Sequence, residues 1–212
     1  MIDLTTMHRP LYDGKADAVR SMTEQALDDG HDVHAILQDG LVAAMKIVGE
    51  DFRDNVIFVP QVLVAARAMK AGMAVLEPLL VEGGQSSRAG TLVMGTVKGD
   101  LHDIGKNLVC MMAEGAGFKI IDLGVDQPAQ RFVEAAREHN AGIVGMSALL
   151  TTTMPYMKVV IDAFKDADLD HVKLCVGGAP VSEVFADEIG ADGYAADASS
   201  AVDLFKEIYP AS

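Results

Sequence analysis

The spacing of the apolar residues changes near residue 85, and this change limits the possible folds more than any other feature of the sequence. Between residues 15 and 81 apolar side chains recur three and four positions apart, which is the period of amphipathic helices packed on one another. After Gly90, short runs rich in β-branched residues alternate with helical patterns. The sequence therefore predicts two domains, a helical one at 1–85 and an α/β one at 86–212.

The first domain is predicted to be a small four-helix bundle. Breaks at 28–30, at 49–55 and around Gly72 divide the periodic stretch into about four helices. Pro60 suits the first turn of one of these helices. Residues 82–90 are small, polar and glycine-rich, which predicts a linker between the two domains.

The second domain is predicted to alternate between strands and helices. The strands are predicted at 91–97, 118–123, 143–147, 172–176 and 193–196, and the helices at 105–115, 128–139, 155–167, 181–189 and 199–208. Alternation at roughly 25-residue intervals indicates a parallel sheet with helices on both faces. Five such units match the flavodoxin-like (Rossmann-like) doubly wound α/β fold, whose ligands bind beyond the carboxyl ends of the strands.

The charge of the chain argues against two classes of partner. The net charge is −14, from 17 basic and 31 acidic residues, whereas nucleic acids and anionic membranes are bound largely through Lys and Arg. Cys110 and Cys175 lie in apolar runs and are expected to be buried thiols of a reducing compartment. Because we see neither a signal peptide nor an apolar run of bilayer length, we expect a cytoplasmic protein.

The loop after the first predicted strand carries the residues that point most clearly to chemistry. Asp100 and His102 fall at the carboxyl edge of the sheet, and residues two apart in an extended segment point the same way. Asp100 is therefore expected to bind one ring nitrogen of His102 and leave the other free for a ligand. Gly99 and Gly105 permit close approach of a bulky group. The alternative for His102 is a capping role, although we expect Asp103 to cap the helix that follows.

Two further strand ends contribute to the same edge. Ser147 ends the third strand and precedes Thr151 and Thr153, while Gly177 and Gly178 end the fourth. A glycine pair after a buried strand suggests that a long flat group enters between strands, and the sequence has no glycine motif of the phosphate-binding kind. Ordinary strand-end turns are the alternative explanation for the hydroxyl residues and for the glycines.

The order and separation of three motifs resemble the signature of the cobalamin (vitamin B12)-binding family. The motifs are Asp-x-His-x-x-Gly from Asp100, Ser-x-Leu from Ser147 and Gly-Gly from Gly177. The sequence around the first motif is more similar to the methyltransferase branch of that family than to the mutase branch. The N-terminal half, with 48–52 and 58–60, resembles the helical cap of the cobalamin module of methionine synthase. The whole chain resembles corrinoid proteins of methylamine, methanol, betaine or methoxy-aryl methyltransferase systems.

The resemblance implies a role for each matching residue. His102 would be the lower axial ligand of cobalt, Asp100 would hydrogen-bond to it, and Thr153 would be third in that relay. Ser147 and Thr151 would contact the displaced tail base of the cofactor. The other residues implied in cofactor binding are Gly99, Leu101, Asp103, Gly105, Leu149, the slot residues Gly177 and Gly178, Ala198 at the end of the slot, and Phe52 and Val59 over the upper face. Gln38 stands where the methionine synthase module has a glutamate.

The resemblance implies a methyl carrier that has no turnover of its own. A substrate:corrinoid methyltransferase would methylate cob(I)alamin, and a second methyltransferase would pass the methyl group of methylcobalamin to a thiol or folate. A corrinoid reductive activator is a further candidate partner, whereas nucleic acid and membrane are not expected. The main alternative is the B12-binding subunit of an adenosylcobalamin-dependent mutase, which the helical first domain disfavours. A B12-dependent regulator would need a DNA-binding segment, and a response regulator gives no reason for the histidine loop.

Overall fold

The computed structural model describes residues 2–82 and 90–209. The chain divides into two compact units, residues 1–87 with 115–117 and residues 88–114 with 118–212. The linker predicted at 82–90 lies outside the described residues except at its two ends, so it stays a prediction, as does the domain boundary between 85 and 86.

The described part of the first unit is mainly helical. It comprises a 3₁₀-helix at Leu4–Met7, α1 at His8–Tyr12, α2 at Ala16–Asp28, α3 at Val33–Ala35, a π-helix at Ile36–Val42, α4 at Ala43–Arg53 and α5 at Val59–Glu82. α3, the π-helix and α4 follow one another without a break, as do the 3₁₀-helix and α1. The described part of the unit therefore has four continuous helical stretches, at 4–12, 16–28, 33–53 and 59–82. The predicted four-helix bundle is confirmed, although its first helix lies before the periodic stretch.

One predicted helix break is absent, and another begins later than predicted. α4 continues through Gly49 to Arg53, and α5 continues through Gly72. A Cβ atom at Gly72 would lie 2.9 Å from Leu41 and 3.1 Å from Val19. This glycine therefore permits close helix packing, and the packing outweighs the weak local preference of glycine for a break.

α5 is the longest helix of the described residues. By length and composition alone, Val59–Leu80 is apolar enough to cross a membrane, but core helices of soluble proteins pass the same test. Val62, Ala65 and Ala68 are fully buried, and α5 packs along α2. One face of α5 thus forms part of the bundle core.

The second unit contains a five-stranded parallel sheet. Its strands are β1 at Gly90–Thr96, β2 at Phe118–Asp122, β3 at Ile143–Ser147, β4 at Lys173–Gly177 and β5 at Gly193–Ala195. Its helices are α6 at Ile104–Gly115, α7 at Ala129–Glu138, α8 at Tyr156–Asp166, α9 at Glu183–Ile189 and α10 at Ala198–Ile208. The strand order is β2-β1-β3-β4-β5, which confirms the doubly wound prediction. The order reverses between β1 and β3, and that switch point is where ligands bind in such sheets.

The strand register brings the predicted site residues to one edge of the sheet. Thr96 pairs with Ser147, Ser147 with Gly177, and Gly177 with Ala195. One hydrophobic core cluster lies between the sheet and α7, α8 and α9, where Phe132 is fully buried. The loops beyond this row of residues therefore sit on a rigid, well-packed support.

Candidate functional site

A tight turn places Asp100 immediately after β1. The backbone N–H of Asp100 donates to the carbonyl oxygen of Val97 at 3.1 Å, and Gly99 has φ of +85°. A positive φ at the third position is the mark of a type II turn and is why glycine stands there. The turn directs the Asp100 side chain toward the loop that follows β3.

The carboxylate of Asp100 is fully buried and accepts five hydrogen bonds. Its Oδ1 accepts from Nδ1 of His102 at 2.7 Å and from the His102 backbone N–H at 3.1 Å. Its Oδ2 accepts from Oγ1 of Thr153 at 2.6 Å and from the backbone N–H groups of Leu149 at 2.8 Å and Leu150 at 3.2 Å. One carboxylate therefore joins the β1–α6 loop to the β3–α8 loop at the switch point.

The same contacts keep Asp100 ionised. Burial alone would raise the pKa of this carboxyl, but the hydrogen bonds from Thr153, Leu149 and His102 outweigh it and hold the pKa well below its usual value. An ionised Asp100 accepts the hydrogen on Nδ1 of His102. Nε2 is then the nitrogen that presents a lone pair.

The imidazole of His102 is held at one side and open at the other. Its side chain is 50% exposed, and its backbone carbonyl accepts a hydrogen bond from Oγ1 of the buried Thr96 at 2.9 Å. Nε2 makes no hydrogen bond with any residue in 2–82 or 90–209. The ring is oriented by Asp100 and offers one uncommitted nitrogen for a ligand.

Exposed apolar side chains lie on both loops that the Asp100 carboxylate joins and at the first residue of α6. Leu101 and Ile104 are 72% and 77% exposed, and Leu149 and Leu150 are exposed as well. A Cβ atom at Gly105 would meet nothing within 4 Å, so the protein's own packing does not require glycine there. Apolar surface beside one exposed ring nitrogen suits a large, flat ligand better than a hydrated ion.

The other residues predicted at this edge of the sheet have positions that neither support nor contradict contact with a cofactor. Ser147 is half-buried at the end of β3, and Thr151 is exposed in the following turn, where it makes no hydrogen bond to Asp100. Ala198 is the buried first residue of α10. Asp103 precedes α6, but its carboxylate accepts from Nδ2 of Asn107 at 3.0 Å and from no backbone N–H of the described residues, so the predicted capping bond is not formed. Cofactor contact by these residues stays a prediction.

The fold itself accounts for one glycine of the predicted slot. Gly178 has φ of +129°, and a Cβ atom there would lie 1.9 Å from the carbonyl oxygen of Ala148. A Cβ atom at Gly177 would lie 3.0 Å from the carbonyl oxygen of Ala195. The tight-turn explanation therefore holds for Gly178, and the slot for a flat group stays a prediction.

The two residues predicted over the upper face belong to the first unit. Phe52 lies in α4 and Val59 begins α5, and both are half-buried. Between them, Val56 and Phe58 are 62% and 60% exposed. Gln38 lies in the π-helix. The role over the upper face stays a prediction for Phe52 and Val59.

Sequence reasoning missed an ion pair behind the histidine loop. The Lys106 ammonium is buried and donates to both carboxylate oxygens of Asp122, at 2.5 and 2.6 Å, and to Oδ1 of Asn107 at 2.7 Å. Asp122 ends β2, so the pair ties the first turn of α6 to the neighbouring strand. A lysine two positions before an apolar helical stripe was the available signal, but nothing local shows that it is buried.

Comparison with known proteins finds relatives along both units. Two models of a family described as the B12 binding domain match residues 90–203 and residues 4–77. A corrinoid protein of Desulfitobacterium hafniense (strain Y51) is 44% identical over 208 residues, which are 97% of this chain and 96% of the relative. Dimethylamine corrinoid protein 1 of Methanosarcina acetivorans is 46% identical over 195 residues, which are 92% of this chain and 91% of the relative. The solved methanol:cobalamin methyltransferase complex of Methanosarcina barkeri contains a chain that is 28% identical with a TM-score of 0.86, covering 99% of this chain and 80% of that one.

Proposed function

This chain belongs to the B12-binding family, and from that membership we propose that it is the methyl-carrying corrinoid protein of a methylamine-type methyltransferase system. Its cofactor is a cobalamin, and its partners are methyltransferases. The observation that carries the proposal is the uncommitted Nε2 of His102, backed by the buried carboxylate of Asp100. We place the protein in the cytoplasm as a soluble component of that system.

The residues at the sheet edge fit a cobalamin in their donor chemistry and in their shape. His102 would hold the cobalt of a bound cobalamin through its one uncommitted ring nitrogen. Leu101 and Ile104 offer exposed apolar surface, and the open space beside Gly105 leaves room for a macrocycle. Bound cobalamin supplies the methyl transfer chemistry, because cobalt can accept and release a methyl group while amino-acid side chains supply only its surroundings.

The residues of this chain orient and tune the uncommitted nitrogen of His102. Asp100 keeps the ring hydrogen on Nδ1 and so leaves the lone pair on Nε2. Thr153 donates its hydroxyl hydrogen to the other carboxylate oxygen. The electron donation of Nε2 therefore depends on two successive hydrogen bonds, both anchored in loops of the switch point.

The methyl donor and the partners follow from similarity rather than from geometry. High identity to dimethylamine corrinoid proteins supports a methylamine as donor, ahead of methanol, betaine and methoxy compounds. The proposed partners are a substrate:corrinoid methyltransferase, a second methyltransferase that passes the methyl group to a thiol or folate, and a corrinoid reductive activator. The mutase alternative is not favoured, because the relatives are named as corrinoid proteins of amine and methanol systems.

A spectroscopic experiment tests the ligand assignment. The protein, labelled with ¹⁵N-histidine, is loaded with hydroxocobalamin, desalted and reduced by one electron, and the nitrogen splitting of its EPR spectrum is recorded. We expect the splitting of a protein histidine in the wild type and in His171→Ala, which removes an exposed histidine from the α8–β4 loop. His102→Ala should lose that splitting with the fold unchanged. A wild-type protein that comes off the column colourless contradicts the proposed function.

A second experiment tests the donor. The methylated holo-protein is formed with purified substrate methyltransferases specific for dimethylamine, for methanol and for betaine, and the rate of methylation is measured with each. We expect the amine-specific enzyme to methylate this protein fastest. Faster methylation by either of the other enzymes contradicts the assignment of the donor.

A further inference from the structure

Asp126, in the loop between β2 and α7, contacts the turn that carries Asp100 at two points. Its Oδ1 accepts a hydrogen bond from the backbone N–H of Gly99 at 2.7 Å. Its own backbone N–H donates to the carbonyl oxygen of Asp100 at 3.0 Å. Asp126 has φ of 55°, in the left-handed region that residues other than glycine rarely adopt and that Asp and Asn tolerate best.

The contact with Gly99 selects one of two turn conformations. Type I and type II turns differ by a flip of the central peptide, which here joins Lys98 to Gly99. In the observed type II form, the N–H of that peptide points at the carboxylate of Asp126. A flip to type I would turn the N–H away and break this hydrogen bond.

The position of the turn matters because Asp100 must satisfy five donors at once. They come from the His102 ring and backbone and from three groups on the β3–α8 loop. A rotated turn would withdraw the buried carboxylate from some of these donors. The His102 ring would then lose the partner that orients it.

We propose that Asp126 is a positioning residue for His102, acting through the type II turn at Gly99 and the carboxylate of Asp100. It holds the turn from the neighbouring loop and does not contact the ring itself. The inference rests on the proposed function only for the identity of the ligand, a cobalamin, that the oriented nitrogen binds. The effect of Asp126 on the orientation of the His102 ring is a property of the protein alone.

Three variants distinguish the effect of the Asp126 carboxylate from the effect of its left-handed backbone conformation. Asp126→Gly keeps the left-handed conformation and removes the acceptor, while Asp126→Asn keeps both. Asp168→Gly is the matched control, because Asp168 also has φ of 55° but lies in the α8–β4 loop at the opposite edge of the sheet. Asp126→Ala, paired with Asp168→Ala, replaces the first comparison if Asp126→Gly does not fold.

Two readouts are taken at neutral pH. In the cofactor-free protein, imidazole ¹⁵N shifts give the fraction of His102 rings whose Nδ1–H is hydrogen-bonded. In the loaded protein, the dissociation constant for hydroxocobalamin and the EPR nitrogen splitting report the axial bond.

We expect Asp126→Gly to lower the hydrogen-bonded fraction and to weaken hydroxocobalamin binding between about two- and tenfold, since solvent screens the exposed Asp126 carboxylate and reduces its hydrogen bond to the range of a neutral one. Asp126→Asn and Asp168→Gly should match the wild type. Equal behaviour of Asp126→Gly and Asp168→Gly in both readouts overturns the inference. If the wild type itself binds no hydroxocobalamin, the proposed function fails, and the ¹⁵N measurement still decides the role of Asp126.

Discussion

The hydroxyl of Thr153 should contribute measurably to stability, because it donates to the buried, ionised carboxylate of Asp100. Its Oγ1 lies 2.6 Å from Oδ2 of Asp100, and both side chains are buried. Thr153→Val keeps the branched shape of the side chain and replaces the donor with a methyl group. The perturbation therefore removes the hydrogen bond to an ionised carboxylate, together with the 3.0 Å contact of the same hydroxyl with the carbonyl oxygen of Leu150.

The expected cost follows from the contacts that remain. A hydrogen bond to a charged group contributes about 1.5–3 kcal/mol. Asp100 keeps four other donors in the variant, so it is not left unpaired, and we expect a loss near the middle of that range, about 2 kcal/mol. Thr153→Ser keeps the donor and should lose only the contribution of one methyl group, about 0.8 kcal/mol.

The stability difference between wild type and Thr153→Val should depend on pH, in a direction set by the pKa of Asp100. The folded pKa of Asp100 is depressed, so its contribution to stability is full above the unfolded pKa of about 3.9 and is lost as pH falls toward the folded value. Thr153→Val raises the folded pKa by removing a donor. The difference in stability between wild type and variant should therefore be full at neutral pH and should shrink as Asp100 becomes protonated at acid pH.

Urea unfolding of the cofactor-free protein, followed by circular dichroism, measures these differences in variants with equal denaturant slopes. A double-mutant cycle with Asp100→Ala isolates the pair, and Thr153→Val should cost almost nothing in the Asp100→Ala background. A loss under about 0.5 kcal/mol at neutral pH, which is the range of neutral surface changes, would refute the reasoning. So would a loss of the same size in the Asp100→Ala background.

Three further predictions concern the same edge of the sheet. Gly178→Ala should destabilise the cofactor-free protein by at least about 2 kcal/mol in urea unfolding, because the added Cβ meets a backbone carbonyl oxygen at a positive φ; a neutral result would contradict the tight-turn explanation. Gly105→Ala should leave stability unchanged or raise it by up to about 1 kcal/mol while weakening hydroxocobalamin binding in an equilibrium titration, and unchanged binding would show that no ligand occupies the space. Asp122→Ala should cost about 3–5 kcal/mol because it strands the buried ammonium of Lys106, whereas Lys106→Met should cost less because the Asp122 side chain is 41% exposed; the reverse order in urea unfolding would contradict this asymmetry.

Local patterns predicted most of the second unit. Its five strands lie within one residue of their predicted bounds, because each is a short apolar run between turn residues and alternates with an amphipathic helix. The prediction for the first unit was less accurate. Gly72 has the local character of a helix break, but it lies inside α5 where Leu41 and Val19 fill the space beside it.

The sequence by itself determined the alternation of strands and helices, and with it the edge of the sheet where Asp100 and His102 emerge. It also determined that these two side chains point the same way, since extended backbone repeats every two residues. These features depend on neighbours close in the chain, and short-range preferences are sufficient to specify them.

The tertiary structure alone decided which distant groups complete the site. The backbone N–H groups of Leu149 and Leu150 reach Asp100 across about 50 positions of sequence, Asp126 holds the turn from another loop, and Lys106 is buried against Asp122. No local pattern specifies such contacts, because they exist only once parallel strands are in register and their loops meet at one edge. The burial that makes the Asp100 carboxylate sensitive to each of its donors arises at that same step.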